Sequence, residues 1–292
     1  MKKILYTPLT ATPFKQTEKY RERLPQTPDL TRYIRCFWGS EMPYVANESS
    51  PSTTVIVPDT CADIIYHIDY TADTITGRFC GINDTSYEAY EDTQASQRGH
   101  LVSIFAIRFY AWSVCIFSED SLKGTVNGSY DVRSRFTWLD KELRERLFEK
   151  HSLEERSQIA EGLLLRRPFP ARQYPAVDHA VKTILLQKGV LRTAQLAEEC
   201  CISGRQLERL FHGYIGITPK KLCNLVRYQC LWNEILRDPK FCILDAVCRY
   251  GYTDQSHLMH AFKRYHTMGI QKALLYARHN VGNIQYFHDR PC

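Results

Sequence analysis

Leu207, Leu210 and Phe211 return about fifty residues later as Leu258, Ala261 and Phe262. Spacings of three and four put each set on one face of a helix, and each set follows a shorter helical stretch and a turn. In the first unit Thr193 precedes Ala194 to Cys200, the turn lies near Cys201-Ile202-Ser203, and Ser203 opens the next helix as N-cap, with Gln206 completing a capping-box pattern. In the second, Ile243, Ala246 and Val247 make the short helix, Gly251-Tyr252 the turn, and Asp254 to Tyr265 the following helix. Between the units a long helix begins at Pro219, a favoured first position, and runs through Leu222, Leu225, Val226 and Cys230 to about Arg237. Two short helices around a tight turn are a helix-turn-helix. Its repetition with matching faces is a duplicated module.

Charge follows the same division. The chain of 292 residues carries a net +6, but residues 172–292 hold 17 Lys and Arg against 9 Asp and Glu, a net of +8. The first 171 residues hold the remaining 21 and 23, a net of −2. A neutral half joined to a basic half points to a polyanion as partner of the latter, nucleic acid first.

The first half reads differently. Tyr33 to Trp38, Thr53 to Val57, Ile64 to Ile68 and Val102 to Phe109 are rich in aromatic and β-branched residues, with turn-forming clusters at Pro58-Asp59-Thr60, 69–73 and Asn83-Asp84. This predicts a small β-barrel or sandwich. From about Asp140 the period turns helical through Leu139, Leu143 and Leu147, with a second helix to Leu165, and Pro168 and Pro170 then break the chain. The expected architecture is α+β with two domains: residues 1–167, β-rich with a helical segment at 139–165, and residues 172–292, all-α. Within the latter lie helix-turn-helix units at about 193–214 and 243–265 and a linker helix at 219–237.

The eleven cysteines include no C-x-x-C pair, so reduced and mostly buried thiols are expected, rather than a zinc or disulfide framework. No stretch matches a membrane span or signal peptide, which predicts a cytoplasmic, unprocessed protein with no membrane partner. His67, His100 and His151 form no metal-binding pattern, and neither metal nor cofactor is expected. His67 reads as a core residue. Asp59, Cys61 and Asp63 read as a turn with strand-entry residues.

These residues resemble the AraC/XylS family of bacterial transcription regulators over about residues 172–278. The resemblance is carried by Leu196-Ala197, Ser203-x-Arg205-x-Leu207-x-Arg209-x-Phe211, Gly216-Ile217-Thr218-Pro219 and Arg227. It continues in Gly251-Tyr252-Thr253-Asp254-x-Ser256-x-Leu258-x-x-Ala261-Phe262-Lys263-Arg264. It implies that Arg205, Glu208 and Arg209 read bases in the first unit, and Gln255, Ser256, His257 and His260 in the second. Their chemistry fits: Arg grips guanine, Gln pairs with adenine and Glu accepts from cytosine. Ser203, Lys220, Lys221, Lys263 and Arg264 are the candidates for phosphate contacts. His260 stands where the family often has Arg, and Thr267-Met268-Gly269-Ile270 replaces a usual Gly-x-Ser/Thr-Pro segment.

Residues 30–165 resemble the cupin-like sensor domains that precede this domain in some family members, on Tyr33 to Trp38, Pro58-Asp59-x-Cys61-x-Asp63-Ile64-Ile65 and Ile107-Arg108-Phe109. The resemblance implies a non-enzymatic regulator of promoter DNA, an activator responding to a small molecule, with RNA polymerase and a second copy of the chain as further partners. Trp38, Tyr66, Phe109 and Trp112 are candidates for an apolar effector pocket or for core. A regulator whose first domain only dimerises stays open, as does a DNA-repair methyl acceptor, although no cysteine cluster supplies an activated thiolate.

Overall fold

The computed structural model describes residues 6–9, 20–46, 53–90, 99–166 and 174–279. The proline break at 168–170 lies outside them. The first half supplies strands β1 (Arg21–Arg23), β2 (Ile34–Gly39), β3 (Tyr44–Val45), β4 (Thr53–Ile56), β5 (Cys61–Asp69), β6 (Thr74–Cys80), β7 (Tyr87–Tyr90), β8 (Leu101–Tyr110) and β9 (Ser129–Asp131). Seven of them form an antiparallel sheet in the order β1-β2-β8-β5-β6-β9, with β3 added to β8, while β4 and β7 pair as a separate ribbon. The expected stretches at Ile64 to Ile68 and Val102 to Phe109 lie within β5 and β8, and those at Tyr33 to Trp38 and Thr53 to Val57 lie in β2 and β4 except for Tyr33 and Val57. β6 carries no clear strand signal in the sequence because Gly77 interrupts its pattern. Gly77 pairs with Tyr66, and a Cβ there would come within 2.8 Å of the Tyr66 ring.

Alternation along β5 decides which face is core. Ile64, Tyr66 and Ile68 point to one side with Phe37, Phe79, Phe105, Ile107 and Phe109. Helices α2 (Thr137–Glu149) and α3 (Leu153–Arg166) cover this face with Leu139, Leu143, Leu147, Leu153 and Leu164, all fully buried. Full burial of each such side chain contributes about 1.5 to 3 kcal/mol, so a face this apolar needs the helices on it. His67 belongs to the opposite parity. It is exposed rather than a core residue, because the period-two pleat that buries Tyr66 and Ile68 turns it outward.

Among the described residues the second half forms helices and no strand: α4 (Pro175–Leu186), α5 (Thr193–Glu199), α6 (Gly204–Tyr214), α7 (Pro219–Arg237), α8 (Ile243–Arg249), α9 (Gln255–His266) and α10 (Ile270–His279). The short segment Val114–Phe117 is α1. The long helix α7 is the axis, with Leu222, Leu225, Val226, Leu231 and Ile235 buried against α4, α6 and α9. Gly189, at φ +73°, ends α4 against α7, where a Cβ would meet the Cys223 carbonyl oxygen at 2.0 Å. Only glycine combines that left-handed turn with this approach.

The two halves are packed together. Val57, Ile82 and Ala111 of the sheet domain join the helical core. The Leu122 amide donates to the Gly213 carbonyl at 2.9 Å, and the Asn233 side chain donates to the Thr7 carbonyl at 3.3 Å.

Of the cysteines, Cys36, Cys61, Cys115 and Cys223 are buried, but Cys201, Cys242 and Cys248 are exposed. Cys201 falls in the turn of the first unit and Cys242 caps α8, outside the helix faces where periodicity implies burial.

Candidate nucleic-acid interface

Helix α6 is built to present its amino-terminal end. Ser203 Oγ accepts from the Gln206 amide at 3.2 Å, satisfying one of the donors a helix start leaves open. The reciprocal half of the expected capping box is absent, because the Gln206 side chain turns to the Tyr174 hydroxyl at 3.5 Å. Leu207, Leu210 and Phe211 are buried, which rotates Arg205, Glu208 and Arg209 into solvent together. The turn before it is tight, with Cys201 at φ +54°.

Helix α9 repeats the design. Asp254 is its N-cap, accepting from the His257 amide at 2.7 Å, and Leu258 and Phe262 are buried while Ala261 is half-buried. Gln255, Ser256, His257 and His260 are all exposed near the amino-terminal end. Phe262 stacks on His266 at 4.9 Å and lies edge-on to Trp232 of α7, so the connector helix fixes α9 by aromatic contact. The His266 ring accepts or donates through Nδ1 to the Tyr228 hydroxyl at 2.7 Å, and burial pushes its pKa down to about 4. Thr267 ends the helix at φ +60°, and α10 starts three residues on, so the altered exit sequence still turns directly into a helix.

Arg227 of α7 joins two segments of the helical half. Its guanidinium donates to the Gly189 carbonyl at 3.1 Å and lies 5.6 Å over the Tyr252 ring, tying the end of α4 to the turn of the second unit.

The expected phosphate contacts separate into three kinds. Lys220, Lys263 and Arg264 are exposed. Ser203 is the α6 cap. Lys221 is in an ion pair with Asp84 of the sheet domain at 2.6 Å, so this cation already has an anionic partner within the chain. The Asn127 side chain donates to the same carboxylate, at 2.6 Å. Burial opposes ionisation of Asp84, but the Lys221 and Asn127 contacts outweigh it and hold its pKa below the usual carboxylate value.

Trp38, Tyr66, Phe109 and Trp112 are not gathered around one cavity. Tyr66 and Phe109 are fully buried in the core beneath α2 and α3. The Trp38 indole donates to Asp63 at 2.8 Å. Trp112 stacks on Tyr110 at 5.1 Å and packs against the helical core. A groove of about 390 Å³ lies instead beside α2 and α3, lined by Arg146, Lys150, Glu155, Gln158, Leu163 and Arg166.

Sequence reasoning missed a buried charge cluster on the other face of the sheet. The Asp59 carboxylate accepts from the Cys61 amide at 2.7 Å and pairs with Arg108, whose second nitrogen lies 3.6 Å from Asp63. Side-chain exposure is 9% for Arg108 and 7% for Asp59, so each charge requires the other. The turn-and-strand reading of Asp59 and Asp63 therefore described only their backbone role.

Residues 196–272 match the model of a family described as a helix-turn-helix domain, and residues 22–127 match a domain of unknown function, DUF6597. No match to a curated protein was found. Among solved structures, ToxT from Vibrio cholerae is similar at 10% identity over 88% of this chain and 98% of that one, with a TM-score of 0.39. A ToxT structure with an unsaturated fatty acid bound gives 9% identity over 79% and 97%, with a TM-score of 0.36. The transcriptional regulator CdpR from Pseudomonas aeruginosa gives 15% over 60% and 46%, with a TM-score of 0.31.

Proposed function

We propose that this chain, whose residues 196–272 are a helix-turn-helix domain of the AraC/XylS type, is a sequence-specific transcription regulator working on promoter DNA in the cytoplasm. The observation that carries the reading is the shared construction of α6 and α9. In each, a capped amino-terminal end exposes polar side chains while the apolar face is locked onto α7. Arg205, Glu208 and Arg209 read one major-groove segment, and Gln255, Ser256, His257 and His260 read the next, about 34 Å along the duplex. Lys220, Lys263 and Arg264 meet phosphates and set the register.

The sheet domain, residues 1–167, controls this activity through a small molecule, and the regulator acts as an activator that engages RNA polymerase as a pair of chains. The supporting observation is its attachment to the connector helix by Gln229, Asn233 and Lys221. Whatever alters the sheet domain alters the platform on which both reading helices sit. A ligand that shifts DNA affinity must bind the two states with different free energies, typically by about 1 to 3 kcal/mol. The filled core around Tyr66 and Phe109 favours a second reading, a ligand-independent regulator whose sheet domain only docks and dimerises.

Footprinting with the full chain on DNA upstream of its own gene and its neighbours tests the first reading. Two protected major-groove segments one helical turn apart are expected; protection without sequence preference overturns it. A thermal-shift screen with small molecules separates the two accounts of the sheet domain.

A further inference from the structure

His257 is held in one orientation before any DNA arrives. The Thr253 backbone amide donates to its Nδ1 at 3.3 Å, and the Thr253 hydroxyl oxygen lies 3.0 Å from the same nitrogen. A main-chain amide only donates, so Nδ1 is an acceptor and carries no proton; the hydroxyl therefore donates to it as well. A neutral imidazole with a bare Nδ1 has its proton on Nε2. The rest of the residue is equally fixed. Its own amide donates to the Asp254 cap at 2.7 Å, and its ring stands at 89° to Tyr252 with centroids 5.2 Å apart. Gln206, at the equivalent place in the first unit, makes the same amide bond to its cap, Ser203, but its side chain reaches the Tyr174 hydroxyl at 3.5 Å and is half-buried. The two positions differ, and the second carries an exposed side chain with a set donor.

We propose that His257 is a specificity-determining residue that reads a hydrogen-bond acceptor on a major-groove base edge through Nε2–H, with Thr253 as the positioning residue that sets the tautomer. This rests on α9 being a reading helix. The chemistry restricts the base. Guanine offers N7 and O6, adenine N7 and thymine O4, whereas cytosine presents only its N4 donor in the major groove. A fixed donor favours guanine, with two adjacent acceptors, and rejects cytosine at the contacted position.

Two measurements on the full chain test this. Nitrogen-15 spectra of labelled histidine in the free protein are expected to show His257 protonated at Nε2; a ring protonated at Nδ1 overturns the proposal. Binding to a library of operator variants is then compared for the native chain, His257→Ala and Thr253→Val. His257→Ala is expected to erase a roughly ten-fold preference for guanine over cytosine at one position of the second subsite, leaving preferences elsewhere intact. Thr253→Val, which keeps the amide but removes the hydroxyl, is expected to weaken the same preference only. An unchanged preference, or a uniform loss over all sequences as a phosphate contact gives, overturns it. Failure of the parent reading is distinguishable, because the native chain then shows no sequence preference at either subsite.

Discussion

The side-chain amide of Gln229 is hydrogen-bonded at both ends to the main chain of Leu9. The Leu9 amide donates to Oε1 at 2.7 Å, and Nε2 donates to the Leu9 carbonyl at 3.1 Å. Nε2 also donates to the Pro58 carbonyl at 2.7 Å, and Gln229 is fully buried. One side chain of the connector helix thus completes the hydrogen bonding of two segments of the sheet domain. The Pro58 turn continues into Asp59, which holds Arg108, so the buried charge cluster and α7 are joined through consecutive residues.

Gln229→Leu keeps the volume approximately but takes the partner from three main-chain groups, of which the Pro58 carbonyl is bonded in a buried site and the two of half-buried Leu9 are not. A buried group without a partner costs about 1 to 3 kcal/mol, so the variant is expected to lose about 1 to 3 kcal/mol. Denaturant unfolding reads this. An unchanged midpoint shows that the interdomain seam is not held as described.

His266 gives the fold an acid-sensitive point. Its pKa is near 4 when folded, from burial, against an ordinary 6.5. A base whose folded pKa is depressed contributes stability that is complete above the unfolded pKa and is lost as pH falls from 6.5 towards 4. The loss over that window is about 3 kcal/mol. Unfolding measured at a series of pH values is expected to show it, and His266→Phe is expected to flatten that segment of the profile. A His266→Phe profile parallel to the native one contradicts the assignment.

Asp84 and Lys221 make the domain seam sensitive to salt and acid. Because the folded pKa of Asp84 lies below the ordinary value, its contribution is present above the unfolded pKa, near 4, and fades as pH drops further. The lysine is 47% exposed, so the pair contributes little stability. Asp84→Asn releases Lys221 and is expected to strengthen non-specific DNA binding at low salt, with a steeper dependence on salt concentration. Titrations at several ionic strengths measure this. Identical slopes for the two proteins mean that Lys221 does not reach phosphate even when released.

The exposed faces of α6 and α9 were legible in the sequence because they depend on short-range rules. Helical spacing buried Leu207 and Phe211 and thereby exposed Arg205 and Arg209, and Ser203 and Asp254 marked the helix starts where the structure has them. Strand chemistry likewise located β2, β5 and β8. The seam was not legible, since Leu9 and Gln229 are 220 residues apart and neither has a local pattern that announces a partner. Thr253 and His257 were hidden for a different reason. Their contact runs back across the helix cap rather than along a face, so periodicity carries no trace of it. Aromatic residues in strands suit a pocket and a core equally, and only the packing of α2 and α3 on the sheet put Tyr66 and Phe109 in the core.

The reading face of α6 is tested most directly by Arg205→Ala combined with Arg209→Ala. Both side chains are exposed, so the melting temperature is expected to stay nearly unchanged. Each arginine that grips a base contributes about 1 to 3 kcal/mol of discrimination, and the double variant is expected to bind the promoter no better than unrelated DNA. Promoter affinity equal to that of the native chain, with the fold intact, contradicts the account.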